Sequence, residues 1–187
     1  MHPIQSSFTV KSLITNIGHD RAGASCTVYL NNKKIADFQD DGYGGETDID
    51  YVNAMVIKQL EDLLHKEKYA EYLHKNDYSF MKLNDINIHT MMNELISTAI
   101  NLKIEKKDKK AFASKIKKAC AKCLVYGNDN EFAQISWKGI KTLDELVSHK
   151  AGLDALQKAY DEKKANLNDG HRIHNSNEQL LSLGIKL

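Results

Sequence analysis

The residues with the greatest chemical capacity form an acidic, glycine-rich segment, Asp40-Asp41-Gly42-Tyr43-Gly44-Gly45-Glu46-Thr47, followed by Asp48 and Asp50. Glycines ahead of a helix can turn backbone N–H groups toward a phosphate, but these carboxylates would repel one. No lysine follows the glycines, and the spacing matches neither the dinucleotide fingerprint nor the Walker loop. A divalent cation would reconcile acids with phosphate, using Asp40, Asp41, Asp48 or Asp50 as oxygen ligands, yet the order of acids is not that of an EF-hand. The plainer reading is a turn in which glycines supply positive φ and the acids favour the dipole of a following helix.

Three other groups carry potential chemistry. Cys120-Ala121-Lys122-Cys123 has the spacing of a zinc half-site or a redox pair. No second cysteine pair completes a zinc site, and a redox pair gains its low thiol pKa at a helix N-terminus. These cysteines end a predicted helix, which favours buried packing. His171 with His174, and His19 beside Asp20, could serve acid–base or metal chemistry only if the fold brings carboxylates to them. Lysines 103, 106, 107, 109, 110, 115, 117, 118 and 122 make a cationic middle that could track phosphates. That run contains no arginine and a single aromatic, Phe112, for base readout or stacking, so a solvated helix face is the favoured reading.

The elements that must position these groups follow from composition and period. With 187 residues, 42% hydrophobic and 27% charged, the chain can bury a core of its own and is neither disordered nor fibrous in type. Its net charge of +1 argues against generic attraction to nucleic acid or anionic membrane. The charge is unevenly placed, acidic in the first third and basic in the middle, which suits a specific partner or a second copy of the chain. No signal peptide or membrane-length apolar run is present, and the odd, closely spaced cysteines do not resemble a secreted disulfide framework, so a reducing cytoplasm is expected.

Alternation at Phe8, Val10 and Ser12 predicts a first strand ending near Gly18. A polar turn at 18–23 follows, then a hairpin of Cys26, Val28 and Leu30 with Ile35 to Phe38 about an asparagine turn at 31–32. Val52, Val56, Leu60, Leu63 and Leu64 predict a helix capped by Thr47 or Asp48. The connection at 68–80 has no clear pattern. A helix capped by Asn84 or Asp85 through Ile100, and a further helix around Phe112 to Cys120, come next. A second hairpin spans 123–137, Thr142 with Glu145 opens a short helix as a capping box, and helices near 153–160 and 178–183 close the chain. Strands and helices are grouped rather than alternating, which predicts an α+β fold with antiparallel sheet packed against helices. The expectation is a single domain over 1–187, with sub-lobes 1–66 and 84–187 if the two hairpins do not share a sheet.

Tyr29 to Ile35 followed by the Asp-Asp-Gly-Tyr-Gly-Gly segment, with Ile135-Ser136-Trp137-Lys138-Gly139 and the closing residues 180–187, resembles a group of uncharacterised proteins of bacterial phages, prophages and plasmids. The resemblance implies a small accessory protein of a mobile element, and such proteins often block host defence, including CRISPR effectors, by occupying a surface. It carries over no catalytic residue and implies no cofactor. The leading expectation is therefore a non-enzymatic interaction protein, an inhibitor of a bacterial defence system that contacts a host protein or defence complex. Asp40, Asp41, Tyr43, Glu46 and Asp48 form the expected contact set, with Lys106, Lys107, Lys110, Lys117 and Lys118 as an alternative surface for protein or nucleic acid. The rival expectations are a small metal-dependent enzyme acting on a nucleotide or phosphoester, and a nucleic-acid-binding accessory protein.

Overall fold

A computed structural model describes residues 1–20 and 22–187. The chain divides into two compact units, Met1–Lys106 and Lys107–Leu187.

The first unit is built on a four-stranded antiparallel meander of β1 (Phe8–Ile17), β2 (Ala22–Leu30), β3 (Lys33–Asp40) and β4 (Asp48–Tyr51). Asn31 and Asn32 form the β2–β3 turn with φ of 48° and 67°. Positive φ at both positions is the arrangement whose twist matches the flanking strands, and asparagine tolerates it. One face of the sheet buries Phe8, Val10, Cys26, Val28, Ala36 and Phe38. These residues share a core with Val56, Leu60 and Leu64 of α1 (Ala54–Lys66), Tyr69 and Leu73 of α2 (Tyr69–Asn76), and Met92, Leu95 and Ile96 of α3 (Ile88–Cys120). The opposite face carries Thr27, Asp37, Gln39, Asp48 and Asp50 at exposed or half-exposed positions.

One irregularity decides what that outer face displays. The β1–β2 register shifts between Lys11 and Ile14, where β1 gains one residue, and Ser12 there has φ of 50°. Without this bulge Ile14 would share the inward side of Phe8 and Val10. With it, Ile14 pairs opposite Ser25 and is 66% exposed.

Several local expectations are corrected. The segment after the glycines is strand β4 rather than a helix start at Thr47 or Asp48, because the open edge of β3 offers it backbone partners over residues 36–39. The helix begins later, with Asn53 Oδ1 accepting from Val56 N at 3.0 Å, so Val52 lies outside it and is exposed. Residues 68–80 contain helix α2, whose Tyr69 and Leu73, four apart, are fully buried. The two helices expected between 84 and 120 are one, α3, of 33 residues. Its charged middle contains no glycine or proline and is rich in lysine, with alanines at 111, 113 and 119, all of which favour helix. Its N-terminus is capped by Asn87, accepting from Thr90 N at 3.0 Å, rather than by Asn84 or Asp85, which lie in a separate 3-10 turn.

The second unit has its own sheet, β5 (Leu124–Gly127) between β6 (Phe132–Ile135) and β7 (Arg172–Ile173), so the second hairpin does not join the first sheet. Helices α4 (Leu143–Val147), α5 (Lys150–Ala165) and α6 (Asn177–Ser182) complete it. Thr142 Oγ1 accepts from Glu145 N at 3.2 Å. The Glu145 carboxylate reaches Lys141 N at 2.8 Å, one residue before the N-cap. Leu124, Leu143, Leu146, Leu156, Tyr160 and Leu180 form the core. The antiparallel sheets and helices together are the α+β architecture expected. Among the described residues no helix is long and apolar enough to cross a membrane.

Candidate functional site

The acidic loop is held by its own aspartates. Asp40 Oδ1 accepts from Gly42 N and Asp41 Oδ1 accepts from Tyr43 N, each at 2.9 Å. These are turns closed by a side chain, and Gly42 and Gly44, with φ of 78° and 80°, supply the left-handed positions between them. The end of the β1–β2 hairpin clamps the loop from one side. Asn16 Nδ2 donates to Asp41 O at 3.1 Å, and Asp20 N donates to Gly42 O at 3.1 Å. On the far side of the loop Thr47 Oγ1 donates to Asn93 Oδ1 of α3 at 2.7 Å.

The result is a tip made of two segments distant in sequence. Ile17 precedes Gly18 and Tyr43 follows Gly42, and the two glycines touch. Ile17 is 96% exposed and Tyr43 65%. Asp20, Asp41 and Glu46 lie exposed in the same two segments. The structure thus brings Asp40, Asp41, Tyr43 and Glu46 together on one loop and places Asp48 on the sheet. There Asp48 shares a shallow hollow with Asp37, Asp50 and Ser12. Asp37 stands opposite Asp50 in the strand register, an unfavourable like-charge pairing. Lys34 relieves it, with Nζ 2.7 Å from Asp37 Oδ2, and that hydrogen bond, with a second from Thr27, holds the Asp37 carboxyl below its usual pKa.

Lys106 belongs to the first unit, where it edges a groove with Phe8, Val10 and Leu102. In the second unit Lys107, Lys110, Lys117 and Lys118 are exposed on α3, the pairs 110/117 and 107/118 falling on two stripes by helical spacing. Only Lys117 of this set reaches a cleft of about 790 Å³. Lys109, Phe112, Ala113 and Ile116 of α3 line the cleft, with Asp129, Arg172 and His174 from beyond the helix.

No family model, curated protein or solved structure matches this chain.

The cysteine and histidine groups resolve simply. Cys120 and Cys123 are buried free thiols, and burial pushes both pKa values up. An unreactive, packed pair is the consequence. His19 Nδ1 lies 2.9 Å from Asp20 Oδ1 in the open. His171 Nε2 is 3.4 Å from the Asn128 amide. His174 is half-buried, with Nε2 inaccessible and lacking a hydrogen-bond partner among the described residues. Burial, aided by Arg172, pushes its pKa down. Among the described residues no cluster of three or more His, Cys, Asp or Glu is placed to hold a metal ion.

Sequence reasoning missed Ile14 and Ile17 in the first unit, and Phe112 and Arg172 in the second. An isoleucine immediately before the Gly-His-Asp turn is the one local sign of Ile17's exposure. No local pattern reveals the bulge that exposes Ile14, or the cleft that residues of α3 and Arg172 of β7 line together.

Proposed function

We propose that this is a non-enzymatic interaction protein that docks the tip of its first unit onto a basic surface of a protein partner. The carrying observation is the pair Ile17 and Tyr43, both exposed, flanking a backbone contact that holds them in place and set among carboxylates. Large apolar anchors with a polar rim are the anatomy of an interface centre. A tip already fixed by hydrogen bonds loses little conformational freedom on docking. The carboxylates of Asp20, Asp41 and Glu46 suit a partner whose surface is cationic, as in a protein that handles nucleic acid. The resemblance to mobile-element proteins supports a bacterial defence complex as that partner, with the tip competing against nucleic acid for the basic channel.

The test is capture from nuclease-treated bacterial lysate, identification of the retained protein, and affinity measurement with that purified partner. The triple variant Ile17→Asp, Tyr43→Ala, Glu46→Lys is expected to bind it at least about tenfold more weakly, the loss of one modest anchor. Short duplex DNA is expected to compete with the wild type. Equal affinity of the folded triple variant sinks the reading.

A second reading, nucleic-acid contact through Lys107, Lys110, Lys117 and Lys118, is favoured by their shared exposure on one helix. It requires binding to duplex or single strands that weakens steeply with added salt. Absence of binding at low salt removes it.

A further inference from the structure

The cleft of the second unit plays no part in the tip, and its lining has a chemistry of its own. Phe112, Ala113 and Ile116 share one side of α3, where they remain exposed or half-exposed beside a lysine-rich surface. Ile116 packs in part against Cys120, Cys123 and Val125, and the half-exposed remainder of Ile116 and Phe112 faces the cleft. The Phe112 ring is oriented by an edge contact with Phe132, centroids 5.6 Å apart at 64°. It therefore offers a positioned aromatic surface to the cleft.

Charge at the rim is predominantly positive. Lys109 and Lys117 come from α3 and Arg172 from β7, against the single carboxylate of Asp129 among the described lining residues. That carboxylate is already engaged, with Arg172 Nη2 donating to Asp129 Oδ1 at 2.5 Å. His174, whose pKa burial pushes down, lines the cleft as an imidazole and brings no negative charge to it. A cleft of about 790 Å³ lies within the range that encloses a small organic ligand. Its occupant must combine a flat apolar portion with an anion. Several cations around one space favour a multiply charged phosphate over a lone carboxylate, and arginine beside lysine is the pairing that recognises phosphate oxygens.

We propose that this cleft binds a mononucleotide, its base against Phe112 and Ile116 and its phosphate toward Lys117 and Arg172. The Asp129 carboxylate then acts as a gate on the anion: it holds the guanidinium in place and yields donors to the phosphate when the ligand enters. The site is independent of the partner contact on the first unit, so either can fail without the other.

Equilibrium titration of the full-length protein with AMP, adenosine, inorganic phosphate and benzoate tests the assignment. AMP is expected to bind saturably at one site, with adenosine, phosphate and benzoate each at least tenfold weaker. The double variant Lys117→Gln, Arg172→Gln is expected to lose at least tenfold in AMP affinity while keeping the far-ultraviolet circular dichroism and thermal midpoint of the wild type. Phe112→Leu, chosen to keep the contact with Phe132 filled, is expected to weaken AMP without altering the affinity for inorganic phosphate. No saturable AMP binding at millimolar concentration overturns the proposal. So does phosphate or benzoate binding as tightly as AMP, or unchanged AMP affinity in the folded double variant.

Discussion

A β-carbon on Gly18 would lie 2.4 Å from the carbonyl oxygen of Gly42, so the end of the β1–β2 hairpin and the acidic loop meet backbone to backbone. Gly23 makes a second such approach, 2.5 Å from Asp40 O by the same measure. The two contacts join segments about twenty residues apart into one displayed unit. They explain why the loop's own aspartates can be spent on local turns while Tyr43 projects outward.

Gly18→Ala must push the Gly42 backbone away. An overpacking cost of about 1–3 kcal/mol is expected, read as a lowered denaturation midpoint. Partner affinity should fall as well, because the tip loses its alignment. Unchanged stability and unchanged binding would mean that the contact relaxes freely.

Ile17→Asp is expected to change stability by less than about 0.5 kcal/mol, since the side chain is 96% exposed and leaves no cavity. Urea denaturation checks this directly. The variant thereby separates docking from folding.

Asn175 is 3% exposed and stitches the second unit together. Its Oδ1 accepts from Val125 N at 2.7 Å, and its Nδ2 donates to Cys123 O at 3.0 Å and Cys120 O at 3.1 Å. Gln179 Nε2 also serves Cys120 O, at 2.7 Å, so Asn175→Ala chiefly orphans Val125 N and Cys123 O. A loss of about 2–4 kcal/mol is expected by chemical denaturation. Asn175→Asp should cost more at neutral pH, because it loses the donor and buries a charge against carbonyl oxygens.

Burial raises the Cys26 thiol from 9.0 to about 11. Between those values the unfolded chain ionises this thiol while the folded chain keeps it protonated, so the unfolded state holds fewer protons and stability falls as pH rises. Tyr51 and Tyr78, each pushed up to about 12, extend the trend to higher pH. Denaturation midpoints measured from pH 9 to about 11 should decline, and more shallowly in Cys26→Ala. A flat profile contradicts the burial of these groups.

His174 behaves oppositely. Its folded pKa lies below the ordinary 6.5, so the unfolded chain takes up a proton first as pH falls, and stability is lost below about 6.5. The nearby charges are Arg172, which resists protonation, and Asp129, which favours it. His174→Gln should remove this part of the acid dependence, seen by comparing midpoints at pH 7 and about pH 5.

The hairpin at Asn31-Asn32 was legible because alternation and a φ-tolerant turn lie within ten residues of one another. So was the inner face of α1, where Val56, Leu60 and Leu64 recur at helical spacing. Strand β4 was not, since Asp48 to Tyr51 is too short to declare itself and became a strand by pairing with β3. The continuity of α3 was also hidden, because its charged middle satisfies helical propensity without displaying an apolar stripe. Of the expected contact residues, the loop set is gathered at one place, while Asp48 lies on the sheet and Lys106 falls in a different unit from the other four lysines.

By itself the sequence determined what depends on neighbours along the chain: the type of the longer strands and of the amphipathic helices, asparagine and glycine turns, the segregation of acid from base, and the α+β class. Only the tertiary structure decided what depends on burial and on backbones meeting at a distance. The β1 bulge turned Ile14 outward, the Gly18–Gly42 contact set Ile17 and Tyr43 on either side of it, and β7 carried Arg172 to the cleft that Phe112 also lines. Each rests on close packing or on pairing at an open strand edge, and those are settled by which surfaces meet rather than by the residues' own conformational preferences.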